Sequence, residues 1–281
     1  MNFVDDLKYV FLILFLFSSL ICAQNPYEEQ FNFAKQLYEN EDYYNAVTEL
    51  KRLLFFDKGS HYTFDVNYLI GRCYKQGAKF SDAIRHFTLA EIHSRNESEI
   101  FNSRVEIVRL NILRRTTRRA HSMLDALDND ERYIDRKSEI KYWRAWTYIF
   151  EDEWEKASIV FSNVDSLREL TNLTRQVADD QYSVSLSKTL SYFIPGAGQI
   201  YTGEYLSGIL SLGWNLLFGY LTINSFIEER IFDGIVISNF LWLRFYRGSI
   251  HNAEKFTSEK NLIIGNEALN YLQYHYKGLK P

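Results

Sequence analysis

Cysteine is almost missing from this chain. Of two in 281 residues, Cys22 lies in an apolar N-terminal stretch and Cys73 stands alone, which excludes a disulfide framework or a thiolate metal site once that stretch is removed. Only three prolines and thirteen glycines occur, too few for a turn-rich β fold and well suited to long helices. Charge of one sign is also lacking: the net charge of −4 carries no whole-chain signature of a nucleic-acid binder. The six histidines are scattered without an HExxH or other ligand spacing, so no metal site is expected. Neither a Ser/His/Asp nor a Cys/His constellation can be assembled, and neither an enzyme nor a cofactor is expected. Aromatic residues are plentiful at 16%, which argues against disorder.

Residues 1–23 read as a secretory signal: Lys8, an apolar run over 9–20, and Ile21-Cys22-Ala23 before Gln24. The competing readings are a lipidated Cys22, disfavoured because no small residue precedes it, and an uncleaved anchor. Beyond residue 24 a register repeats every 37 positions. It links Ala46, Ala83, Ala120 and Ala157, and also Ala34, Gly71, Val108 and Ala145. Leu50, Phe87, Leu124 and Phe161 keep the same step, as do Leu53, Ala90, Leu127 and Val164. Small residues twelve apart let two antiparallel helices approach closely, and polar turns such as 39–42, 76–79 and 151–153 separate them. Each unit therefore reads as a helical hairpin, and stacked hairpins bury a core that no single one buries alone. Residues 166–181 read as a capping helix with Leu167, Leu170, Leu173 and Val177 on one stripe.

The pattern Ala34-Lys35-Gln36-Leu37-Tyr38 with Asp42-Tyr43-Tyr44-Asn45-Ala46 resembles the tetratricopeptide repeat. So do Gly71 to Tyr74 with Phe80 to Ala83, and Trp143 to Tyr148 with Trp154 to Ala157. The unit at 101–137 departs from it, with Val108 and Asn111 where a small residue and an aromatic are expected, and the family's closing proline is absent throughout. The resemblance implies an all-α, tetratricopeptide-like solenoid over 24–182, about four 37-residue units plus the capping helix. It also implies a ligand surface on the concave face of the first helices. Carried over by register, that face holds Lys35, Arg72 and Arg109 in one row with Trp146 next. Phe31, Tyr68, Val105 and Tyr142 form a second row, and Tyr38, Lys75, Ile112 and Ile149 a third. Three cations flanked by tyrosines would clamp an acidic protein or peptide partner; the alternative is that they pair with Glu28, Asp65 and Glu106. The basic cluster at 114–119 reads as a solvated turn or a patch for anionic headgroups, not a nucleic-acid site.

Residues 206–226 carry no formal charge, and 21 residues at helical rise cover about 31 Å, the thickness of a hydrocarbon core. A membrane helix over about 206–227 is expected, and a second over about 231–247 whose uncharged centre is short. Arg244 would then fall level with Asn215, so it either faces a protein interior, within reach of Asn215 or Glu204, or lies in a shallow or tilted helix. The motif at which the chain enters the membrane is Pro195, Gly196, Gly198, Gln199, Tyr201 and Gly203. Pro195-Gly196 stops a helix, the glycines allow tight turns, and Gln199 and Tyr201 are placed to hydrogen-bond backbone groups freed at the break. The glycine spacing does not fit a phosphate loop and no lysine follows.

This motif, with Tyr246-Arg247-Gly248-Ser249-Ile250-His251-Asn252-Ala253-Glu254-Lys255 after it, resembles a small bacterial two-helix membrane domain over 186–258. The resemblance implies membrane residence and bacterial origin, and supplies no activity. The tail, 259–281, reads as a short amphipathic helix on the membrane surface or packed back on the array. A cleaved signal places the array outside the cytoplasm, in the periplasm, although the arginines and lysines after the second helix favour the opposite orientation. The reading as a whole is a membrane-anchored scaffold of the bacterial envelope that binds a protein partner. The alternative is an accessory factor for membrane-protein insertion or envelope assembly.

Overall fold

The computed structural model describes residues 26–164 and 167–281; the expected signal segment lies outside them. Among the described residues every regular element is a helix. The chain divides into two compact units, the first ending at Phe150 and the second running from Glu151 to Lys280.

The first unit contains α1 (Pro26–Glu39), α2 (Tyr43–Phe56), α3 (Thr63–Gln76), α4 (Phe80–Ile92), α5 (Glu97–Leu113), α6 (Thr117–Asp128), a 3-10 segment (Glu131–Arg136) and α7 (Lys137–Ile149). Consecutive helices pack on each other, and α1 also touches α3. The small residues of the 37-residue register sit at these contacts: Ala34, Ala46, Ala83 and Ala120 are fully buried. A Cβ at Gly71 would lie 3.0 Å from the Phe87 ring, so this position has room for little more than hydrogen. Val108 is buried in the same row despite its size. Asn111 has a different task from an aromatic: its amide donates to Ile107 O, while its Oδ1 accepts from Thr116 Oγ1 and ties α5 to the next turn.

The turns keep the same step as the core. Glu41, Ala78, Arg115 and Asp152 all have positive φ, between 53° and 63°. In the first three, the positive-φ residue bonds back three positions and its successor five: Asp42 N to Leu37 O, Lys79 N to Tyr74 O, Thr116 N to Asn111 O. This is the Schellman closure, which satisfies the last carbonyls of one helix while reversing the chain. Asp42 then caps α2 through Asn45 N, and Asn96 caps α5 through Glu99 N.

The second unit contains α8 (Trp154–Ser162), α9 (Arg168–Asp180), α10 (Val184–Phe193), α11 (Ala197–Tyr201), α12 (Tyr205–Ile227), α13 (Ile231–Ile237), a π-turn (Ser238–Trp242) and α14 (Leu243–Tyr274). Within residues 166–181, where a helix is expected, lies α9, which buries Leu170, Thr174 and Val177. The second membrane helix and the tail differ from expectation: the helical stretch from 231 is broken by a π-turn, and α14 then runs unbroken through to Tyr274. At the π-turn the Ser238 hydroxyl and the Asn239 amide both bond Ile235 O, competing for the carbonyl that the helix would use. Farther on, Gly248 alone is too weak a breaker, because a mid-helix glycine costs only about 1 kcal/mol. In α14, Gly265 meets Trp154, while Ala268 and Leu272 are buried, so the tail packs back on α8 and α9.

Candidate functional site

The row predicted on the first unit is largely spent on joining helices. Arg72 on α3 lies 4.8 Å over the Tyr38 ring of α1, and Arg109 on α5 lies 4.8 Å over Trp143 of α7. Glu106 takes both Lys75, at 3.1 Å, and Arg109. The Lys75–Glu106 pair is nearly sealed from solvent; burial lowers the Lys75 pKa and Glu106 partly offsets it. Tyr68 is pushed up to about 12, by burial first and Glu106 second, and meets Phe87 edge-on at 5.2 Å. Tyr142 contacts Trp143 and Trp146, and Trp146 is only 2% exposed. Lys35 stays exposed, 4.0 Å from Glu39. Of the acids weighed as partners, Glu106 holds Arg109, whereas Asp65 pairs with Arg95. Arg72 makes no ion pair among the described residues and keeps its edge open to solvent. Of the predicted rows, the polar members Lys35, Tyr38 and Arg72 keep surface open to solvent.

Elsewhere in this unit, His86 Nδ1 lies 2.9 Å from Asn67 Oδ1, and Asn67 Nδ2 donates to Thr63 O. The amide is thereby oriented with Oδ1 towards the ring, so His86 Nδ1 is the donor. Burial, with Arg85 and Lys51 adding to it, depresses its pKa to about 4. Burial raises the Cys73 thiol to about 12, which leaves it inert. Among the described residues no cluster of three His, Cys, Asp or Glu is arranged to hold a metal.

In the second unit the glycine motif is a knot of backbone contacts. Gly196 has φ +97°, and a Cβ there would sit 2.1 Å from Gly208 O. Its N–H donates to Ser249 Oγ of α14 at 2.8 Å. At Gly198 a Cβ would fall 2.2 Å from Ser187 O and 2.7 Å from Ala253 Cβ; its N–H donates to Ser191 Oγ. Only hydrogen fits at either place. Gly203, at φ +86°, makes the same Schellman closure as the turns of the first unit, with Glu204 N bonding Gln199 O. Pro195 stands two residues past the end of α10.

The two polar side chains of the motif do not act where the sequence places them. Tyr201 Oη accepts from Ser183 N, at the start of α10, and not at the proline break. Asn261 of α14 clasps the same junction with both amide atoms, donating to Tyr182 O and accepting from Tyr182 N. Gln199 is fully buried, and neither end of its side-chain amide has a hydrogen-bond partner among the described residues.

The helix α12 is long and apolar enough to cross a membrane. Its polarity is inverted. The buried positions are Gly208, Asn215, Gly219, Thr222 and Ser225, while Leu206, Ile209, Leu216, Ile223 and Ile227 are exposed. Thr222, Ser225 and Asn215 each donate to the carbonyl four residues back. Asn215 Oδ1 is buried and unpartnered. Arg244 lies on α14 with no hydrogen bond or ion pair among the described residues, so neither Asn215 nor Glu204 neutralises it. It lines a cleft between α12 and α14 with Ser207, Ser211, Trp214 and Asn252. Apart from Arg244, no polar member of this group is apparent in the sequence pattern; the four-residue step from Ser207 to Ser211 to Asn215 is the one signal that points to it. No family model matches the chain, and neither a curated protein nor a solved structure shows significant similarity to it.

Proposed function

We propose that the protein is a non-enzymatic, membrane-anchored scaffold of the bacterial cell envelope. The second unit holds the chain in the bilayer through the α12 hairpin. The tetratricopeptide-like array, a solenoid of about four units extending outside the cytoplasm, binds a protein or peptide partner. The observation that carries the reading is the inverted polarity of α12: small and polar residues face its neighbours and large apolar ones face outward. A helix in the core of a soluble protein has the opposite arrangement, whereas helices associating in lipid use small residues at their contacts.

On the array, the partner surface is Lys35, Tyr38 and Arg72, which favours an acidic segment with an apolar anchor. The experiment is retention of partners by the full chain from detergent-solubilised membranes, wild type against Lys35→Glu/Arg72→Glu. Loss of acidic partners with unchanged helicity supports the reading, and unchanged retention contradicts it. A cross-linker at Gly213, in open space on α12, reports on the rival role: abundant adducts with integral membrane proteins would favour assistance in insertion or assembly.

A further inference from the structure

The cleft between α12 and α14 has a volume of about 560 Å³ and ten lining residues, of which Arg244 alone is charged. Ser207 and Ser211 come from α12; Arg244, Gly248 and Asn252 come from α14. The Arg244 guanidinium, the Asn252 amide and the Ser207 and Ser211 hydroxyls make no hydrogen bond among the described residues. Their donors are therefore unspent. At Gly248 a Cβ would meet nothing within 4 Å, so the middle of the α14 wall is open. Apolar surface completes the site: Leu210, Leu241, Trp214 and Phe245 line it, the last two stacked with ring centroids 5.6 Å apart. Leu206, Ile209 and Leu243, each next in sequence to a lining residue, are exposed.

We infer that this cleft binds the phosphodiester headgroup of an anionic membrane lipid. A planar guanidinium pairs with two phosphate oxygens at once, and hydroxyl and amide donors complete the shell around the remaining oxygen. A single cation matches the single negative charge of a phosphatidylglycerol-type headgroup. The aromatic and aliphatic wall gives the acyl chains a continuous path to the apolar exterior of α12. Bound phosphate also resolves the position of Arg244: an uncompensated charge is expensive beside hydrocarbon, and a fixed lipid anion removes that penalty. This inference rests on the membrane reading of α12.

The test is native mass spectrometry of the full chain in detergent, titrated with phosphatidylglycerol or phosphatidylcholine, alongside a separate carbonate extraction of membranes. Wild type is expected to retain phosphatidylglycerol with roughly tenfold preference, the size expected of charge-assisted hydrogen bonds. Arg244→Gln is expected to abolish that preference while remaining in the carbonate-resistant pellet. Gly248→Leu, which fills the cleft without touching the charge, is expected to do the same; Arg247→Gln, one residue away and outside the cleft, is expected to keep the preference. Equal retention of the two lipids by wild type, or an unchanged preference in both Arg244→Gln and Gly248→Leu, overturns the inference. Inorganic phosphate that displaces phosphatidylglycerol at equal concentration overturns the lipid as the source of the anion. Extraction of wild type by carbonate would instead count against the membrane reading itself.

Discussion

The first unit and the part of the second around the glycine motif and α12 are built with opposite polarity from the same kind of helix and the same kind of turn. In the first, Leu50, Ile70, Phe87 and Leu124 are fully buried and charged residues cover the outside. In the second, the interior around the glycine motif holds Ser187, Ser191, Thr202, Ser249 and Thr257, and leucines and isoleucines cover α12. Yet Glu229 and Gly203 close α12's flanking turns in the same conformation that Glu41, Ala78 and Arg115 use in the first unit. Turn chemistry thus says nothing about the solvent outside; the side chains on the outer face decide it. Where water is the solvent, burying apolar area drives helix association. Where lipid is the solvent that force vanishes, and close backbone packing with internally satisfied hydroxyls takes its place.

The sharpest way to break this comparison is to enlarge a small residue in the second unit. Gly198→Leu would drive a side chain into Ser187 O and Ala253, and an overpacked core of this kind loses about 3 kcal/mol or more. Thermal unfolding in detergent should show the loss of a cooperative transition, and a near-native midpoint would refute the packing described. The mirror experiment empties the first unit. Phe87→Ala removes a fully buried ring and is expected to cost about 3–5 kcal/mol by denaturant titration, whereas Leu216→Ala, on the exposed face of α12, should change detergent stability by under about 0.5 kcal/mol.

One pH dependence originates in the first unit. His86 is held neutral with its pKa depressed from 6.5 to about 4, so the unfolded chain binds the proton first. Stability is full above pH 6.5 and is lost as pH falls towards 4, by up to about 3 kcal/mol. Chemical denaturation at pH 7 and pH 4.5 should show this difference, and His86→Gln should flatten it. The smallest effect is at the shared turn. Ala78 sits at φ 54°, where a Cβ is strained, so Ala78→Gly should stabilise by about 0.5–1 kcal/mol. A drop in melting temperature would show that the turn is not under the strain its dihedral implies.

Much of the helical organisation was legible because periodic burial leaves a periodic trace. The alanine row and the small residues at Ala34 and Gly71 announce helix contacts, and the turn at Arg115 keeps step although Val108 and Asn111 depart from the family pattern. The glycines at 196 and 198 were legible as a break, but not as contacts with Gly208, Ser187 and Ala253, because those partners are distant in sequence. Gln199 and Tyr201 illustrate the limit: a local motif suggests local hydrogen bonds, whereas Tyr201 reaches the α10 junction and the Gln199 side chain bonds nothing among the described residues. For the cation row, register places Arg72 and Arg109 equivalently, but Glu106 is on the helix of Arg109 and pairs with Arg109 and Lys75. The π-turn at 238–242 and the unbroken α14 were hidden for a similar reason: charged residues after Arg244 read as the end of a membrane helix, while the backbone has no cause to stop there.

The central claim is that the apolar exterior of the second unit faces lipid and that of the first does not. Spin labels at Ile209, Leu216 and Ile223, compared with labels at Phe33 and Tyr44 of the first unit, test it in the full chain reconstituted into liposomes; all five positions are more than half exposed. The account expects the three α12 labels to be relaxed by oxygen and shielded from a water-soluble nickel complex, with the reverse at 33 and 44. Equal access of nickel to both sets would contradict it.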